Sequence, residues 1–164
     1  MTEHRNIDFL LERDRHAEAL LALSRRIERA ETQEQAFDAA LEVLCANTPY
    51  KNHWIYTFPK DSEFAEFYLG NGPAKKPSVS RLPIGGDKMM EEIAAAHDMV
   101  IVEDAPLDPR TDKKIVAELQ CRTIINVPII FDKRNLGSLG TGTFGEEGVR
   151  LPTPAVRDLL KAVA

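Results

Sequence analysis

Two mainly apolar, strand-like runs flank a short polar turn over residues 122–144, RTIINVPIIFDKRNLGSLGTGTF. In the first run Ile125, Val127, Ile129 and Phe131 alternate with Ile124, Asn126, Pro128 and Ile130. Both sets are mainly apolar, so a strand here is expected to be covered on both faces. Asp132, Lys133, Arg134 and Asn135 supply a polar turn. A second strand is predicted over 136–144, where Gly137, Gly140 and Gly142 sit among Leu139, Thr141 and Thr143. Glycine inside a strand marks a bulge or the close approach of another group. The pattern predicts a central hairpin, one strand of which is thinned enough for a helix or a ligand to sit close.

Upstream, residues 6–30 contain no Pro or Gly and predict one long helix, with Leu20, Leu23, Ile27 and Ala30 as its apolar stripe. Arg13 and His16 interrupt that face and no heptad is sustained. Two readings stand: a helix paired with its copy in a dimer, or one that packs only its second half. Thr32 and Gln35 form a capping box for a helix running to Asn47. Its buried face is Phe37, Ala40, Leu41 and Leu44; Cys45 beside it reads as a small buried hydrophobe, and Thr48-Pro49 ends the helix.

Residues 53–58 predict a strand with Trp54, Tyr56 and Phe58 on one side and His53, Ile55 and Thr57 on the other. A turn at 59–62 joins it to a second strand, 63–69, with Phe64, Glu66 and Tyr68 opposite Ala65, Phe67 and Leu69. Residues 70–73 break this hairpin, 75–78 read as exposed loop, and 79–84, which contain a proline, read as an edge strand. Gly85-Gly86 then precede a helix capped by Asp87, with Met89 or Met90, Ile93, Ala94 and Ala96 inward and His97 at its C-terminal end. A short strand at 99–102, a turn-rich acidic loop at 103–112 and a short helix at 113–119 lead back to the central hairpin. Thr153-Pro154 opens a last helix that buries Val156, Leu159, Leu160 and Val163. Hairpins separated by helices predict an α+β fold on a mainly antiparallel sheet. The chain ends within that last helix, which reads as a piece of a longer protein.

Composition narrows the classes. The 164 residues accommodate one domain plus an extra element. With 43% hydrophobic and 29% charged residues, a packed core is expected. The net charge of −5 argues against nucleic acid and anionic membranes as partners. Cys45 and Cys121 lie in no C-x-x-C and fit neither a disulfide framework nor a structural zinc site, so a reducing, cytoplasmic compartment is expected. The apolar runs are too short for a membrane span, and the charged N-terminus is not a signal peptide.

Candidate chemistry is sparse. The glycines of 136–142 lie within an alternating strand rather than between a strand and a helix start, which favours packing over phosphate binding. His4 and His16 are assigned to an exposed helix, His53 and His97 are isolated, and no pair has metal-ligand spacing. Glu103, Asp104, Asp108 and Asp112 lack the spacing of a calcium loop and read as a solvated loop with Arg110 as internal partner. Cys121 beside Arg122 is a candidate reactive thiol, with a structural role preferred. Asn126 lies on a strand with apolar neighbours on both faces. Once buried, its amide must find partners, by tying down a neighbouring loop, the preferred reading, or by lining a pocket.

Three segments together resemble a GAF domain, the small-molecule-sensing and dimerising module of bacterial signalling proteins. They are the strand 124–129 followed by a polar turn and Leu136-Gly137-Ser138-Leu139, the upstream Val102-Glu103-Asp104 through Asp108-Pro109-Arg110, and the final helix. The resemblance covers residues 20–164 and divides the chain into an N-terminal signalling helix, 1–30, and the domain, 31–164. It implies a GAF/PAS-like, profilin-type fold with a six-stranded antiparallel sheet, helices on one side that form a homodimer, and a ligand pocket on the other. Mapped onto this chain, Trp54, Tyr56, Phe67, Met90, Ile93, Asp104, Arg110, Asn126 and Thr143 are the candidate lining residues. The motifs of cyclic-nucleotide-binding, bilin-binding and methionine-sulfoxide-reducing members are absent, and neither haem nor a metal has a signature, so the ligand is unassigned. The resemblance implies a non-catalytic sensor whose first and last helices pass a packing shift to an output domain such as a histidine kinase, an HD-type phosphohydrolase or a diguanylate cyclase. The alternatives are a dimerisation module with a collapsed pocket and a redox enzyme built on Cys121.

Overall fold

Helices and strands follow in the order α1 Thr2–Glu28, α2 Gln33–Asn47, β1 Asn52–Thr57, β2 Phe64–Gly70, β3 Arg81–Pro83, α3 Lys88–Ala95, β4 Val100–Val102, α4 Lys113–Leu119, β5 Cys121–Phe131, β6 Arg134–Phe144 and α5 Pro154–Val163. This computed structural model describes residues 2–71 and 80–164, with side chains from residue 7 onward. The expectations for His4, for the loop at 75–78 and for the first residue of the third strand lie outside the described residues. The chain divides into two units. One comprises residues up to Pro49 together with Pro152–Val163, and the other Tyr50–Leu151 with Ala164.

In the helical unit Thr32 caps α2, its side chain accepting from the Gln35 N–H at 3.2 Å. The reciprocal bond of the predicted capping box falls one residue earlier: Gln35 Oε1 accepts from the Glu31 N–H at 2.8 Å. Thr48, extended before Pro49, ends α2. Thr153 accepts from the Val156 N–H at 3.2 Å and so caps α5 ahead of its first-turn proline. Leu23, Ala39, Ala40 and Val43 form the bundle core, with Ala19 and Val163 packed against it.

Three expectations fail in this unit. Ile27 is exposed although it follows buried Leu23 by one turn, since the core of this unit stops at Leu23 and does not take it in. His16 is buried rather than exposed, and its Nε2 lies 3.1 Å from the Asn47 carbonyl, one of the orphan acceptors at the end of α2. Cys45 is exposed, one position off the buried Leu41–Leu44 face.

In the second unit all strand pairs are antiparallel, in the order β3-β2-β1-β6-β5-β4. Pro83 sits on edge strand β3, where a missing N–H breaks no ladder. The turn between β5 and β6 is only Asp132-Lys133, both with positive φ (47° and 61°), the backbone that matches the twist of paired strands. Arg134 and Asn135, expected in the turn, belong to β6. From Thr123 to Pro128, β5 is buried on both faces as expected, but Ile130 and Phe131 at the tip are 40% and 73% exposed. Register sorts the faces: Ile124, Asn126, Ser138 and Gly140 share one face with Trp54 and Tyr56, and Ile125, Val127, Leu139 and Thr141 share the other with His53 and Ile55.

His53 is fully buried, with Nε2 3.1 Å from the Tyr50 carbonyl. Burial holds its pKa down at about 4 against that carbonyl's opposing effect. The unfolded chain therefore binds a proton between pH 6.5 and 4 that the native state refuses, so stability is full above about pH 6.5 and falls as the pH drops towards 4. The loss amounts to about 3 kcal/mol. Urea melts at stepped pH are expected to show this slope in the wild type. His53→Gln, with no group to titrate, is expected to be less stable at pH 7 but nearly flat through that window.

Candidate functional site

A cavity of about 130 Å³ lies within the second unit, on the sheet face that carries Trp54 and Asn126. The sheet forms its floor: Trp54 and Tyr56 of β1, Phe67 of β2, Ile124 and Asn126 of β5, Ser138 and Phe144 of β6. Helix α3 forms one wall through Met89, Met90 and Ile93, and α4 the other through Ile115, Val116 and Leu119.

The floor has room because β6 carries glycine where β1 carries tryptophan. Trp54 pairs with Gly140, and a Cβ on Gly140 would lie 1.9 Å from the indole Nε1. The indole therefore lies down across β6, with Phe144 meeting it edge-on at 6.0 Å between ring centroids. Gly140 also pairs with Asn126 on the far side, so Trp54, Gly140 and Asn126 form one row across three strands. Tyr56 and Phe67 make a second edge-on pair at 5.7 Å. Burial pushes the Tyr56 phenol up to about 12, with a smaller contribution from Cys121.

Both walls are short helices whose first turns are capped. Asp87 accepts from the Met90 N–H at 2.9 Å, and Asp112 accepts from the N–H groups of Lys114 and Ile115 at 2.8 and 3.2 Å. The C-terminal carbonyls of α3 are met from the sheet: Asn135 Nδ2 donates to Ile93 O at 2.9 Å and Ala94 O at 3.2 Å. Arg110 joins the pieces, donating to Asp108 at 2.6 and 2.9 Å, to Glu92 of α3 at 2.8 Å and to the Ile101 carbonyl of β4 at 2.9 Å. Its guanidinium holds the Asp108 carboxyl down at about 2. The 103–112 loop is thus stitched down rather than simply solvated: Ala105 and Thr111 are buried, and Thr111 donates to the Ala105 carbonyl at 2.7 Å.

Of the nine candidate residues, Trp54, Tyr56, Phe67, Met90, Ile93 and Asn126 line this cavity. Three do not. Asp104 pairs with Arg122 at 3.2 Å, Arg110 makes the ties just described, and Thr143 points to the opposite face, accepting from the Thr123 N–H and donating to the Gly148 carbonyl. Phe144, one residue on, is the cavity residue, because side chains alternate along a strand. Asn126 ties down no loop. Its Oδ1 accepts from Ser138 Oγ at 3.3 Å, and the other end of its amide has no partner among the described residues. Ser138 and the α4 stripe Ile115, Val116 and Leu119 line the cavity as well, and the i, i+1, i+4 spacing of that stripe is the sequence signal for it.

Cys121 is buried at the cavity's edge, and burial pushes its thiol up to about 11. The neighbouring guanidinium does not activate it, since Arg122 is turned towards Asp104. Among the described residues no three His, Cys, Asp or Glu side chains converge as metal ligands. No helix there is long and apolar enough to cross a membrane.

The family model that matches is the GAF domain, over residues 32–164. No curated protein sequence matches the chain. Among solved structures, the GAF domain of a phosphoenolpyruvate-protein phosphotransferase from Coxiella burnetii is similar with a TM-score of 0.75 at 15% identity, over 92% of this chain and 89% of that one. Free methionine-R-sulfoxide reductase from Neisseria meningitidis, solved with its substrate, is similar with a TM-score of 0.73 at 17% identity, over 90% and 83%. A GAF domain/HD domain protein from Geobacter sulfurreducens follows at 0.64 and 12%, over 88% and 92%. At such identities the likeness is one of fold.

Two outcomes follow from the site. Gly140→Ala forces the indole off β6 and is expected to cost about 1–3 kcal/mol. A lowered Tm and a shifted emission maximum of the single tryptophan would register it. Timed alkylation at pH 7.5 with mass mapping is expected to label exposed Cys45 readily and Cys121 only on unfolding.

Proposed function

Because the chain belongs to the GAF domain family, we propose that it is a non-catalytic regulatory module that binds a small molecule in the cavity between the sheet and helices α3 and α4. The observation that carries this reading is the cavity itself: a preformed apolar space with one amide in its floor. The buried thiol, its pKa raised, argues against the redox reading, since a nucleophilic cysteine needs an accessible thiolate. Trp54 and Met90 line the cavity instead of filling it, which weighs against a collapsed pocket.

The module works as a homodimer in the cytoplasm, through α1 and α5, without nucleic acid or membrane as partner. Support comes from α1, which has two apolar faces. Leu23 and Ala19 face the bundle core. Ile7, Leu10, Leu11 and Leu21 share the opposite face and are each more than half exposed, at 55%, 57%, 62% and 56%. Asp14 and Glu18 stand between Leu11 and Leu21 on that face, so the apolar cluster suited to a second copy of the same helix is Ile7, Leu10 and Leu11. A packing shift in these helices would be passed to an output domain outside this sequence, such as a histidine kinase, an HD-type phosphohydrolase or a diguanylate cyclase.

Native mass spectrometry of the purified chain tests both parts at once. A dimer retaining a small extra mass is the expected result. Asn126→Ala is expected to weaken a retained ligand about tenfold, the scale of one lost hydrogen bond. Unchanged affinity in that variant would remove Asn126 from the site, and a monomer at micromolar concentration would remove α1 as a dimer seam.

A further inference from the structure

Resting on the ligand-binding reading above, we infer that the cavity selects an uncharged, single-ring aromatic molecule bearing one small hydrogen-bonding group, which meets the amide of Asn126. Size is the first argument. A cavity of ~150 Å³ with aliphatic and aromatic walls accepts one benzene ring, and this one measures about 130 Å³. Shape is the second. The indole of Trp54 lies down across Gly140 and Phe144 stands edge-on to it, so the floor offers aromatic surface to a ring.

Charge is the third argument and decides the class. Among the described residues that line the cavity there is no Lys, Arg or His. A carboxylate or phosphate entering it would lose its water and gain no cation from those residues. The lining carboxylates belong to Asp87 and Asp112, and both are engaged by the first turns of α3 and α4, which leaves them poorly placed to hold a cationic ligand. Tyr56 and Cys121 are neutral at physiological pH. Thr111 donates its hydroxyl to the Ala105 carbonyl, Ser138 donates to Asn126, and Tyr56 has contacts of its own, which leaves the Asn126 amide among the described lining groups. Ser138 occupies one end at 3.3 Å, and the other end has no partner among the described residues. A neutral carboxamide, hydroxyl or carbonyl on the ring satisfies it.

Calorimetric titration of the purified chain with benzamide, benzoate and toluene tests this. Benzamide is expected to bind at least tenfold tighter than benzoate. Asn126→Leu is expected to erase the advantage of benzamide over toluene while toluene still binds, a result that a misfolded variant cannot mimic. Benzoate binding as tightly as benzamide would overturn the charge selection and leave the sensing reading standing. Benzamide keeping its advantage over toluene in the leucine variant would overturn the role of Asn126. Binding of none of the three would overturn this assignment together with the ligand-binding reading beneath it. The wild-type comparison of benzamide with benzoate needs no variant, so it decides the charge selection whatever the leucine substitution does to folding.

Discussion

A missing methyl group organises the second unit. With no Cβ at Gly140, the Trp54 indole lies down across β6; with one, it would have to stand up into the space above the sheet. The row from Trp54 through Gly140 to Asn126 then sets what the floor presents: an aromatic plate, a bare stretch of backbone and an amide. Gly142 extends the bare stretch, since a Cβ there would come within 2.0 Å of the Thr123 carbonyl oxygen. Small residues on β6 therefore do two things. They let neighbouring strands and side chains approach, and they withhold the volume that would otherwise fill the space below α3 and α4.

The walls depend on polar bonds more than on helical propensity. Helices of 8 and 7 residues are marginal on their own. Each begins on an aspartate cap, α3 ends on the Asn135 amide, and α4 ends at Gln120 in a left-handed conformation that turns the chain into β5. Arg110 couples α3, β4 and the 103–112 loop through charge-assisted bonds. The segment that reads from sequence as a solvated acidic loop is the one that ties α3 to β4 just ahead of α4.

Element types and their order were legible because each rests on local chemistry: the Thr32, Asp87 and Thr153 caps, the period-two strands and the Thr48-Pro49 stop. Which strand face meets the cavity was not, because parity is fixed by register and a one-residue choice moves a side chain to the other side. That is why Thr143 stood in the expected lining in place of Phe144. Tertiary partners were equally hidden. The amide that ties down a neighbouring segment belongs to Asn135, and Asn126 is the one in the cavity. Buried His16 meets the Asn47 carbonyl at the end of α2, and nothing in the spacing of α1 announces that acceptor.

The cavity also bears on energetics. Space lined by apolar groups and not filled by protein atoms forfeits packing contacts and costs stability. A flexible wall would collapse to recover part of that. Here the floor is a paired sheet and the walls are pinned by Asp87, Asp112, Asn135 and Arg110, so collapse would break several charge-assisted or buried hydrogen bonds to close one void. The fold therefore holds the space open at a cost that a well-fitting apolar occupant offsets without rearranging the site. Binding of that kind feeds directly into the stability of α3 and α4, since a molecule that binds only the native state adds its binding free energy to folding. The same bonds that keep the cavity from closing make the two short helices respond to whether it is filled.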